Sequence, residues 1–535
     1  MFRFLILASV SLLLFLPLDV PLEVAAQPDA IVEADVVLRG ATLYDGSDQP
    51  GKVGDIAIKN DRIVAIGKFK VKGTPRVLDC AGLVIAPGFI DLHTHSDFPL
   101  QEKKTNANYN YQTQGVTTVV TGNCGFGPAD VAEYFVKLEK IGVGTNVIHQ
   151  VPHNAVREKV MGNANRDPTE KELKAMQDLV DKGMKAGAYG FATGLIYNPG
   201  TYCKTDELVA LAKIAAEHKG FYASHIRDES TGVLTAIEEI LEIARRAGLR
   251  VHISHIKVSG RRAWGKGPDV IERLRRARKD GIDVTADQYP YTASSTSLTA
   301  TVIPAKFREG STKDMIQRLD DPEIGPRMKK AIADRLDGHL GGKSIKIARY
   351  VKNTSWQGKD LFTIGELEKK SALDIVLDIT RSGGAQIVNF GINDEEMRLF
   401  MKEPYVATAS DGSAMIPSAT VPHPRSYGTF SRKIGRFAIE DEVISLQQAI
   451  RSASGLPADI LRLPERGYLK VGHYADIVVF DPKTYRDKAT FDVPHQYSTG
   501  VRYLFVNGRL AIDNGKATDV LAGRVLRHGA KSETK

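Results

Sequence analysis

Eight short apolar runs, each closing on polar residues, constrain the fold of this chain more than any other feature. They lie near residues 90–95, 117–122, 146–150, 189–193, 221–225, 251–256, 283–287 and 406–410. Helical patterns separate several of them. Thr169-Glu170-Lys171-Glu172 is a Thr-x-x-Glu cap followed by Leu173, Met176, Val180 and Met184 at helical spacing. Thr205-Asp206-Glu207 opens a second helix with Leu208, Leu211, Ala212 and Ala215 on one face, closed by His218-Lys219-Gly220. Strands that alternate with helices pair in parallel, because each helix carries the chain back across the sheet. Eight such units predict a TIM-like (β/α)8 barrel, with a doubly wound open sheet as the alternative.

The two ends of the chain have a different texture. Runs at 55–59 and 62–66 flank Asn60-Asp61, a two-residue hairpin signal, and runs at 475–480 and 504–506 precede Asn507-Gly508. This predicts one small β-sandwich domain built from both ends, 27–85 plus 465–525, around a catalytic barrel at 86–464. The stretch 296–360 breaks the rhythm and is rich in Lys, Arg, Asp and Gly, which predicts a subdomain or lid inserted before the eighth strand. Before all of this, Arg3 precedes an apolar stretch at 4–17, and Val24-Ala25-Ala26 fits a small-residue cleavage site before Gln27. Residues 1–26 therefore read as a secretory signal, predicting export to the periplasm or exterior with no stable membrane association after cleavage, with an uncleaved N-terminal anchor as the alternative. The three cysteines, Cys80, Cys124 and Cys203, are too few and too odd in number for a disulfide framework. The net charge of +8 is dispersed, without a basic block carrying interleaved aromatics, so nucleic-acid binding is not indicated.

The chemistry collects at strand ends, where barrels of this class place it. His93 and His95 lie one residue apart and face the same way on an extended chain. Cys124 follows the second run, His225 ends the fifth, and Asp411 follows the eighth. After the sixth, His255 and Lys257 share a face while His252 takes the other. Four histidines, a thiol and a carboxylate suit zinc, which takes N, S and O ligands.

The order His-x-His, Cys, His, His, Asp on a barrel with a split β domain resembles the amidohydrolase superfamily. Within it, Asn123-Cys124-Gly125-Phe126-Gly127, Ser224-His225-Ile226-Arg227, Ser254-His255-Ile256-Lys257, and Ser410-Asp411-Gly412 followed by His423-Pro424-Arg425 resemble the D-aminoacylases, the N-acyl-D-amino-acid deacylases. Many relatives bridge two metals with a carboxylated lysine at the fourth strand; here residues 190–195 contain none, and the resemblance implies that the Cys124 thiolate bridges instead. It further implies that Cys124, His225 and His255 hold the tighter zinc, with His93, His95 and Asp411 serving a second, weaker position. Asp411 is expected to act as general base toward a metal-activated water. Arg425 and Lys257 are expected to bind the α-carboxylate of a small N-acyl-amino-acid substrate, Tyr289 either to bind it or to donate toward the developing oxyanion, with Tyr197 a further pocket candidate. The expected reaction is hydrolysis of an N-acyl-D-amino acid to a carboxylate and a free D-amino acid. A cyclic amidase resembling hydantoinase or dihydroorotase is disfavoured by Cys124 and the missing lysine. A catalytically silent exported zinc-binding protein is disfavoured by the presence of all six donors.

Overall fold

The computed structural model describes residues 31–529. The segment read as a secretory signal lies outside the described residues. Among the described residues, no helix is long and apolar enough to cross a membrane.

The eight expected runs form the barrel strands, labelled here β1 (Phe89–Asp91), β2 (Val116–Thr121), β3 (Asn146–His149), β4 (Gly190–Gly194), β5 (Phe221–His225), β6 (Arg250–Ile253), β7 (Val284–Gln288) and β8 (Val406–Thr408). β1, β2 and β3 pair in parallel in that order, and β4 to β8 form a second parallel run. A short strand just after β3, Val151–Pro152, pairs with β4 and joins the two runs. The ring closes between β8 and β1, where Asp411 N–H donates to the His93 carbonyl (2.8 Å) and His95 N–H to the Gly412 carbonyl (2.7 Å). A closed ring excludes the open doubly wound sheet. It also brings the first and last metal-donor segments side by side.

Local signals account for the helices. Thr169 and Glu172 form a reciprocal capping box on the helix Glu170–Lys185, which buries Met176, Val180 and Met184. The helix Thr205–Glu217 ends as expected, but the left-handed residue is Lys219 (φ 59°), not Gly220. Gly220 N–H instead completes the cap by reaching back to the Ala215 carbonyl (2.9 Å).

Both chain ends contribute to the β domain, as expected, and its main strands are hydrogen-bonded in one nine-stranded order. Val84–Pro87 pairs with Ile477–Phe480 and so joins the N-terminal and C-terminal halves edge to edge. One face gathers Leu38, Ile56, Ile58, Ile85, Ile477 and Phe505 into a core of its own. Val84, Ala86, Val478 and Leu504 on the other face belong to the barrel's core, because successive strand residues alternate faces. The far C-terminus returns to the barrel, with Val147 of β3 bonded to Arg524 and Leu526 (2.9 Å each).

The insertion is a folded unit with its own core, including Phe307, Met328, Ile347 and Ile375. It extends past residue 360. Its small sheet has Gln386–Asn389 as the central strand, paired with both Ser294–Ser297 and Ile345–Arg349.

Candidate metal centre

The six expected donors meet in one buried cluster at the strand ends. Cys124 Sγ lies 3.3 Å from His93 Nε2, 3.6 Å from His255 Nε2 and 3.8 Å from His225 Nδ1. Asp411 Oδ1 lies 3.0 Å from His95 Nε2 and 3.5 Å from His93 Nε2. Three of these residues depart from strand conformation: Cys124, His255 and Asp411 have φ of 52°, 38° and 50°. A left-handed non-glycine residue costs on the order of 1–3 kcal/mol, and such strain concentrates at functional sites. Here it turns each side chain inward at the point where its strand ends. Gly122 beside Cys124 (φ 82°) lets that turn pass the next strand, since a Cβ there would sit 2.2 Å from the Gln150 carbonyl oxygen.

The twist at His255 overturns one expectation. His252 does not point away from the centre. Its Nε2 bonds Asp287 Oδ2 (2.8 Å), while Asp287 Oδ1 accepts from the His255 backbone N–H (2.6 Å) and Oδ2 lies 3.5 Å from His93 Nδ1. Strict alternation fails because His255 leaves the strand, so both histidines reach the same carboxylate.

The electrostatics suit a cation. Burial pushes the His93 imidazole down to about 4 and His225 well below its usual range, so both offer neutral lone pairs. His225 Nε2 is buried with no hydrogen-bond partner among the described residues. Burial, then the nearby Asp411 and Glu229 carboxylates, pushes the Cys124 thiol well up, so a thiolate here calls for an added positive charge. For Asp411 burial acts upward, but Arg425, then His93 and His255, hold the carboxyl well below the usual range. Among the described residues one other trio, His153, Cys203 and Glu207, has ligand chemistry. There Arg157 already neutralises Glu207 (3.1 Å). A concavity of about 1320 Å³ opens where the β domain meets the barrel at Tyr189, and none of the six donors lines it.

A family model for the amidohydrolase family matches residues 76–512. The chain belongs to the amidohydrolase family. It is 33% identical to an N-acyl-D-glutamate deacylase of Alcaligenes xylosoxydans xylosoxydans over 93% of this chain and 97% of the relative. Among solved structures it resembles N-acyl-D-glutamate deacylase from Bordetella bronchiseptica, complexed with zinc and a phosphonate that mimics the tetrahedral intermediate. That likeness has a TM-score of 0.79 at 30% identity, over 93% of this chain and 100% of the other. A D-aminoacylase studied for its binuclear metal centre gives 0.78 at 30% identity, over 92% and 100%.

Beside the donors, this amidohydrolase has a compact group of cationic and phenolic side chains. Arg425 Nη1 lies 2.7 Å from Asp411 Oδ2, Nη2 donates to the Ser295 carbonyl (3.2 Å), and the guanidinium sits 4.9 Å from the Tyr289 ring centroid. The Tyr289 hydroxyl is buried without a hydrogen-bond partner among the described residues. Lys257 Nζ is 5.9 Å from the same ring centroid, but it is held by Glu229 Oε1 (2.5 Å) and His255 Nδ1 (2.8 Å). Tyr197 donates to or accepts from Thr296 (2.9 Å) and packs edge-on against His225, linking the inserted unit to the centre.

Sequence reasoning missed two carboxylates. Glu229 lies 3.0 Å from His255 Nδ1, so it orients that ring, and its charge stands 3.6 Å from His225 Nε2. Its position four residues after His225 was the available signal. Asp287 ties His93, His252 and His255 together from the end of β7, two residues before Tyr289, the residue of that strand end to which a role had been given.

Proposed function

We propose that this amidohydrolase is a zinc-dependent deacylase that hydrolyses N-acyl-D-amino acids to a carboxylate and a free D-amino acid. One observation carries the reading. A buried guanidinium able to fork onto a carboxylate, Arg425, stands directly beside a hydrolytic donor cluster, 2.7 Å from Asp411. The relatives named as deacylases of N-acylated D-amino acids support the same substrate class.

In this reading Cys124, His225 and His255 would hold one zinc, and His93, His95 and Asp411 a second, weaker position. Bound zinc would polarise the scissile carbonyl and bring water's pKa to about 7. Asp411, kept ionised by Arg425 and the histidines, accepts the water's proton and returns it to the leaving amine. Arg425 and Tyr289 take the α-carboxylate, and Glu229 with Asp287 fixes the imidazoles. Lys257 contributes positive charge at that pocket while remaining bonded to Glu229.

The test is a panel of N-acyl-D- and N-acyl-L-amino acids, with hydantoin and dihydroorotate, assayed on the full chain with its metal content measured. Chelation should abolish turnover of the D-substrates, and about one equivalent of zinc should restore most of it. Turnover of the cyclic amides alone, or zinc binding with no hydrolysis, would sink the proposal. Arg425→Ala should raise KM for the D-substrates at least tenfold. It should also lower kcat, because it strips Asp411 of its buried counter-ion. Unchanged KM would remove Arg425 from the pocket.

A further inference from the structure

His95 is the most exposed side chain at the centre. The side chains of His93, Asp411, Arg425 and Lys257 are 0%, 8%, 7% and 5% exposed, whereas that of His95 is 33% exposed. The carboxylate end of the pocket is sealed: Tyr289, Tyr291 and His423 are buried, and His423 packs against both tyrosine rings and Phe491. A substrate whose α-carboxylate lies at Arg425 and whose amide lies at the donors has its acyl group directed toward the His95 side.

The loops that carry donors also carry exposed apolar residues. Phe98, Phe126 and Ile416 are 62%, 40% and 42% exposed. Each follows a donor closely along the chain, Phe98 after His95, Phe126 after Cys124 and Ile416 after Asp411. Their three loops are stitched together. Ser413 Oγ donates to the His95 carbonyl (2.9 Å), and Ala414 N–H donates to Ser96 Oγ (3.0 Å). Asp97 Oδ1 accepts from Gly122 N–H (2.6 Å), which binds the Phe98 loop to the Cys124–Phe126 loop. The Phe126 ring packs edge-on against Tyr197 at 5.2 Å, and Tyr197 packs in turn on His225. Single exposed apolar residues are ordinary on protein surfaces; these three sit on donor-bearing loops that hydrogen bonds join to one another.

We propose that this rim binds the acyl chain, so that the enzyme prefers N-acyl-D-amino acids carrying medium or long apolar acyl groups to N-acetyl ones. This deepens the deacylase reading and rests on it. Apolar area removed from water is the driving force, and a chain lying on a half-exposed rim recovers part of the full burial value per methylene.

The experiment compares N-acetyl and N-octanoyl derivatives of one D-amino acid on the zinc-loaded full chain. The expected ratio of kcat/KM, octanoyl over acetyl, is about tenfold or more. With Phe98→Ser and Ile416→Ser combined, both positions being solvent-facing, the ratio should fall to about one. A ratio at or below one in the unaltered protein overturns the proposal, and so does a preference that survives the double substitution. Turnover of the acetyl substrate with no chain-length preference overturns the rim alone. Turnover of neither substrate overturns the deacylase reading and the rim with it.

Discussion

Asp411→Asn is expected to keep most of the bound zinc while kcat for N-acyl-D-amino acids falls on the order of 10²-fold or more. The substitution is nearly isosteric. Asparagine tolerates the left-handed backbone that Asp411 adopts at φ 50°, so the turn that closes β8 onto β1 should survive. The proposed tighter position uses Cys124, His225 and His255, none of which is altered. What is lost is the proton acceptor, together with the charge that pairs with Arg425 at 2.7 Å and His95 at 3.0 Å. If Asp411 served only as a ligand, metal content and activity would fall in proportion. Metal analysis of the same sample used for kinetics separates the two, and a parallel loss would withdraw the general-base assignment.

The barrel and the donor set were legible because they rest on local chemistry. Each strand is an apolar run, and each donor sits just past the end of one, so spacing along the chain translates directly into place on the ring. The failures came where tertiary geometry overrides local pattern. His252 was assigned to the wrong face because alternation presumes a regular strand, and His255 breaks it with a φ of 38°. Glu229 and Asp287 carry no motif of their own and acquire meaning only when β5, β6 and β7 stand side by side. The insertion was cut short at 360 because its central strand, Gln386–Asn389, is contributed last and pairs backward with both earlier strands.

The largest stability effect is expected away from the centre, at Lys433. It is the second residue of a nine-residue π-helical segment, Arg432–Glu440, that continues the helix begun by Arg425. Its side chain is buried, and Nζ has no hydrogen-bond partner among the described residues. Burial alone pushes the amine down to about 7 from its usual 10.5, with no carboxylate opposing the shift. The contrast with Lys257 is direct: that amine is also buried, but Glu229 meets it at 2.5 Å. In the unfolded chain Lys433 stays protonated up to its ordinary pKa, whereas the folded chain has released the proton by about pH 7. The unfolded state therefore binds more protons between those limits, and the stability of the native protein rises with pH across that window. Below about pH 7 the penalty is fully developed, on the order of 2–5 kcal/mol for a shift of this size. Lys433→Met keeps the length and apolar stem of the side chain and removes the charge. The variant should accordingly unfold at a higher temperature than the parent near pH 6.5, with the gap shrinking toward pH 10. Equal midpoints at the lower pH, or a gap that does not change with pH, would mean that Lys433 finds a counter-charge when protonated and carries no such penalty.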